Sequence, residues 1–148
     1  MNIIDCCCEG VDVATEGVIH YAHAVLKYLQ LEEVELSIVL CSNAFIQPLN
    51  RDYRGKDYAT DVLSFSQQEG EGFENPMLGD VIISLEKTQE QANEHNKTFS
   101  AEFSLLLVHG ILHLLGYDHE EDGEAEEMER KEKEILSSIA MECKVSLR

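Results

Sequence analysis

Val34–Cys41 alternates apolar and polar positions and is rich in β-branched residues, so it reads as a β-strand, and Asn2–Cys8 reads as another. Between them, over Val11–Gln30, the residues Val18, Ala22, Val25, Leu26 and Leu29 recur at the spacing of one helical face. Ser42 is placed to cap a short helix carrying Phe45, Ile46 and Leu49, with Pro48 inside it. Polar Arg51–Thr60, with Gly55, reads as a loop. Asp61–Ser66 and Gly79–Ser84 are further strands, separated by an acidic loop over Gln67–Met77. Leu85–His95 is helical in pattern. Thr98 or Ser100 then caps a long apolar helix that runs to Leu115. A charged helix over Gly123–Met141 turns Met128, Ile135, Leu136 and Ile139 toward the core. With no internal repeat, the expectation is one α+β domain over residues 1–148. It has a small mixed β-sheet packed with helices and a zincin-like metal site on the long central helix.

That site is read from residues 109–119, HGILHLLGYDH. His109 and His113 stand one turn apart on the same helical face, where two imidazoles can grip one cation. Gly116 supplies the left-handed residue that ends the helix and lets the chain bring back His119 as a third ligand. Three nitrogen ligands and an open position make a catalytic zinc site, with one Zn²⁺ per chain. A lone histidine on an apolar helix is usually a hydrogen-bonded core residue, but three at ligand spacing share a purpose. The spacing agrees with the metzincin protease pattern HExxHxxGxxH except at position 110, where glycine replaces the glutamate base. Asp118, beside His119, either substitutes for that base or orients a ligand histidine. Gly110 is read as serving close helix packing or a roomy pocket.

Composition narrows the partners. The 148 residues carry a net charge of −18, from 29 acidic and 11 basic residues, which argues against a general nucleic-acid binder. The charge is uneven: acid is concentrated after His119, while Arg51, Arg54 and Lys56 cluster in one short stretch. No apolar run is long enough to span a membrane and the start lacks the pattern of a signal peptide, so a membrane is not an expected partner, and the acidic balance argues against DNA. Five cysteines, three of them consecutive at Cys6–Cys8, suit reduced thiols in a cytoplasmic protein better than a disulfide scaffold.

The run HGILHLLGYDH matches the HGxLHLxGYDH signature of the YbeY family of bacterial endoribonucleases. Two further stretches resemble that family: Leu49–Asp57 with Thr60–Phe65, as its LN…YRGKD…TDVLSF block, and Leu78–Ser84, as its LGDIxIS strand. Ala59 and Ser66 stand where many members carry proline, a departure expected to loosen the strand DVLSFS without touching a ligand. The resemblance implies a single-domain, zinc-dependent, single-strand-specific endoribonuclease of ribosomal RNA. It implies action in maturation of the 3′ end of small-subunit (16S) RNA and in ribosome quality control, with the small subunit or its assembly factors as partners. It implies His109, His113 and His119 as metal ligands and Arg54 as a catalytic residue that holds a phosphate, with Lys56 nearby. Against that role, Arg54 could be a loop residue paired with Asp52 or Asp57.

Two other functions fit part of the pattern. One is a metal-dependent hydrolase of peptides or esters, which Gly110 disfavours. The other is a non-catalytic, zinc-stabilised ribosome assembly factor, whose closed fourth ligand would come from Asp118 or a cysteine such as Cys143.

Overall fold

A computed structural model describes residues 1–67, 76–117, 122–139 and 141–147. The described chain runs β1 (Ile3–Glu9), β2 (Val13–Ala14), α1 (Glu16–Tyr28), β3 (Glu35–Cys41), α2 (Asn43–Arg54), β4 (Val62–Ser66), β5 (Met77–Ser84), α3 (Leu85–Glu94), α4 (Phe99–Leu114), α5 (Asp122–Ser138) and β6 (Ser146–Leu147). The main sheet has the order β1-β3-β5-β4, parallel except for β4, which is antiparallel to β5. This is the expected small α+β domain with a mixed sheet.

Strand alternation sorts side chains to two faces. Leu36, Ile38 and Leu40 of β3 and Val81 and Ile83 of β5 join the main core with α1, α4 and α5. Their neighbours Cys41 and Ile82 turn the other way, with Leu63, against Ile46 of α2. Cys6, Cys7 and Cys8 are strand residues, paired with Ile38, Val39 and Leu40, and all five cysteines are free thiols. Burial pushes the thiols of Cys6, Cys41 and Cys143 up to about 12, so each stays protonated near neutrality.

Three boundaries differ from the local pattern. The first helix starts at Glu16 because Val13–Ala14 pair antiparallel with Ser146–Leu147, a contact between distant segments that no local periodicity signals. Residues 51–54 are helical, not loop: Gly55 sends its N–H back to the carbonyl of Arg51, so α2 runs on to Arg54. Pro48 is tolerated within α2 because it and Ala44, whose carbonyl it leaves unbonded, are both exposed to water. Met77 belongs to strand β5, leaving 68–75 of the acidic loop outside the described residues.

α4 is the central element, buried on nearly every side from Glu102 to Leu114. Thr98, not Ser100, caps it: its hydroxyl accepts the N–H of Ala101 at 3.1 Å. It lies very close to the sheet at Gly110, where an added Cβ would fall 2.6 Å from Cγ1 of Val81. Val81 pairs across the sheet with Ser64, whose hydroxyl donates to the Gly110 carbonyl at 3.0 Å. Two residues along β4, Ser66 donates to the Leu114 carbonyl at 3.4 Å. Ser66, where many family members are expected to carry proline, thus makes a long contact from β4 to α4.

Candidate functional site

The long helix ends as its sequence predicts. Gly116, at φ 98°, donates its N–H to the His113 carbonyl at 3.1 Å, and Tyr117 donates to the Leu112 carbonyl at 3.1 Å. This left-handed cap satisfies the last carbonyls and turns the chain away from the helix axis. The last turns of α4 thereby hold His109 and His113 against each other. Their Nε2 atoms lie 3.1 Å apart, with the rings 4.6 Å apart at 75°. Two ring nitrogens from successive turns thus lie side by side, as the one-turn spacing predicts.

The outer nitrogen of His109 is also engaged. Its Nδ1 is bonded to Oε1 of Glu132 on α5, whose side chain is only 10% exposed. A carboxylate on Nδ1 orients the ring and sets its tautomer, leaving Nε2 as the atom that can accept a cation. By composition Glu132 is one more of the acids concentrated after His119, on a charged helix. A signal was there: Met128, Glu132 and Ile135 share one helical stripe and all three are buried.

His109, His113 and Glu132 lie in a cleft of about 800 Å³, floored by α4 and walled by β4 and the last turn of α2. Arg54 lines the same cleft. Its two candidate acidic partners are engaged elsewhere: Asp52 accepts from Arg51 at 3.0 Å, and Asp57 accepts from Gln47 at 3.2 Å. Among the described residues Arg54 has no ion-pair partner. Lys56 is exposed and does not line the cleft. Glu102 also lines it, and its buried carboxylate meets Lys97 at 3.1 Å and His95 at 3.5 Å.

Cys143 is not part of this site. Its N–H donates to Ser104 at 2.7 Å and its thiol faces the Gly17 carbonyl at 3.9 Å, beside α1. His20 and His23 are exposed on α1. Asp118 and His119 lie outside the described residues, and no group of three or more metal-ligating side chains occurs among those described.

The family profile described as Endoribonuclease YbeY matches residues 8–140. The chain belongs to the YbeY family. An endoribonuclease YbeY from Fusobacterium nucleatum is 47% identical over 129 residues, covering 81% of this chain and 80% of that protein. One from Bacillus subtilis is 47% identical over 118 residues, covering 74% and 75%. Among solved structures, the solution structure of TM1509 from Thermotoga maritima aligns with a TM-score of 0.64 at 31% identity, covering 93% of this chain and 87% of that one. The YbeY match takes in α2, β4, β5 and α4, the elements that build the cleft. No described helix is long and apolar enough to cross a membrane.

Proposed function

We propose that the protein is a metal-dependent endoribonuclease that cleaves single-stranded RNA during ribosomal RNA processing, including maturation of the 3′ end of small-subunit RNA. The observation that carries this reading is Arg54. It is a guanidinium with no acidic partner among the described residues, lining the same cleft as two converging histidine nitrogens. Family membership supports it, since the curated relatives bear the name endoribonuclease.

The donors fit a zinc ion. Two imidazoles converge, one already oriented by a carboxylate, and spacing offers His119 as the third ligand. Zinc bound there would supply a Lewis acid and a water acidified towards neutrality. Arg54 then has a defined task. Its planar fork binds two phosphate oxygens and stabilises charge that builds on them as the phosphodiester breaks. Glu132 holds the Nδ1 proton of His109, keeping Nε2 available throughout. Asp118 serves either as a base or as an orienting partner for His119. A cytoplasmic location and the small ribosomal subunit or its assembly factors as partners belong to the same reading.

The peptide-hydrolase alternative fares worse because of Gly110. The protease glutamate would have to stand where even a Cβ meets Val81 at 2.6 Å.

The test is cleavage of ribosomal RNA carrying the immature small-subunit 3′ end, comparing wild type with His113→Ala at equal purity. Cutting by wild type alone, restored by zinc after chelation, is the expected result. Equal cutting by both marks a contaminant, and no cutting by a wild type that holds one zinc favours the assembly-factor alternative.

A further inference from the structure

Tyr53 precedes Arg54 in the last turn of α2 and is 68% exposed. A single exposed aromatic is ordinary on a protein surface. This one differs in three respects. Its ring lines the cleft that holds His109, His113 and Arg54. It is braced: the ring of Phe65 on β4 meets it edge-on with centroids 4.9 Å apart. Phe65 in turn packs on the small core formed by Cys41, Ile46, Leu63 and Ile82, so the brace is tied to the sheet. The adjacent residue, Arg54, is a cationic side chain in the same cleft with no acidic partner among the described residues.

We infer that Tyr53 is a stacking platform for an unpaired nucleobase of the RNA strand whose phosphate Arg54 holds. The inference rests on the ribonuclease reading above and deepens it by assigning how the strand is recognised. A nucleotide presents an anion and a flat π-face joined by one sugar, and the last turn of α2 offers a guanidinium and a flat ring on consecutive residues. Stacking on an aromatic ring is tolerant of base identity, because every base has a π-face. It also discriminates by strandedness. A base inside a duplex is already stacked on both sides, so it cannot reach Tyr53 without being unstacked. The cleft therefore selects single strands through Tyr53, while Arg54 supplies affinity for the backbone that single and double strands share. Tyr58, also exposed, does not line the cleft and has no such role.

The experiment is fluorescence anisotropy with a ten-nucleotide single-stranded oligoribonucleotide, with versions carrying one abasic ribonucleotide at each position in turn, and with a matching duplex. The probe is checked to be intact after each reading. Wild type, Tyr53→Ala and Tyr53→Phe are compared. Tyr53→Ala is expected to weaken single-strand binding about five- to a hundredfold, the range for loss of one base–aromatic stack. Tyr53→Phe is expected to bind within about twofold of wild type, because a phenyl ring stacks as a phenol does. One abasic position is expected to weaken wild type and to leave Tyr53→Ala unchanged, which a purely structural tyrosine would not produce. Duplex binding is expected to be the same in all three. Single-strand binding by Tyr53→Ala equal to wild type overturns the inference and leaves the ribonuclease reading intact, as does an equal loss on duplex. Failure of wild type to bind any single strand overturns both.

Discussion

Glu132 on α5 closes its carboxylate on Nδ1 of His109, a residue 23 positions earlier on α4. The contact couples a helix of acidic surface to the centre of the cleft. Its carboxylate is nearly buried and its partner is an imidazole, an arrangement with a clear consequence for metal binding.

Replacing Glu132 with Gln keeps the shape and a hydrogen bond but removes the charge that fixes the tautomer of His109. Zinc affinity is expected to fall about 10- to 100-fold, as for other carboxylate partners of metal-ligating histidines. Competition with a chromogenic chelator measures it. An unchanged affinity with an unchanged fold by circular dichroism would remove Glu132 from the site.

Gly110 sits under Val81 with no room for a methyl group. Gly110→Ala is expected to cost about 1–3 kcal/mol of stability by overpacking α4 against β5. Urea denaturation checks this, and Val81→Ala should recover part of the loss in the double variant, since it removes the atoms in the way. A stable Gly110→Ala protein would show that α4 can lift from the sheet at little cost.

Arg54 is expected to matter for cleavage and not for metal. Arg54→Ala should lower the rate by about 10²-fold or more, the scale for removing one donor to a developing anion. Zinc content by atomic absorption should be the same as in wild type. Arg54→Lys should fall between, because an ammonium keeps the charge but loses the two-pronged geometry. Parallel loss of zinc and activity in Arg54→Ala would assign it a structural role instead.

The thiols of Cys41 and Cys143 are raised from 9.0 to about 12, first by burial. An unfolded thiol ionises near 9 and the folded one does not, so the unfolded state binds fewer protons between those values. Stability is therefore full below pH 9 and falls as pH rises toward 12, by up to about 1.4 kcal/mol per pH unit for each thiol. Urea midpoints from pH 8 to 11 should show this decline. Cys41→Ala with Cys143→Ala should lower the slope, leaving the share of Cys6, whose thiol is raised likewise, and an equal slope in that variant would place its origin in other groups.

Much of this protein was legible in its sequence because the signals are local. The juxtaposition of His109 and His113 follows from helical periodicity. The turn after α4 follows from one glycine, and the alternating strands follow from a period of two. The conservative ends of elements were less legible. α2 runs on through Arg51–Arg54 because a helix stops where its carbonyls find a cap, and the polar composition of those residues hides that. β2 and β6 meet across most of the chain, so no window of sequence contains their pairing.

The sequence by itself determined which side chains could carry chemistry and on which helical face they stand, since spacing along a regular element sets direction. Only the tertiary structure decided who meets whom. It turned Glu132 inward among acidic neighbours that stay in water and gave Asp52 to Arg51 and Asp57 to Gln47, so that Arg54 has neither. It also set Tyr53 against Phe65 in the lining of the cleft. These are contacts between elements distant in the chain, fixed by how helices pack on the sheet, and the pattern along one strand or helix does not encode them.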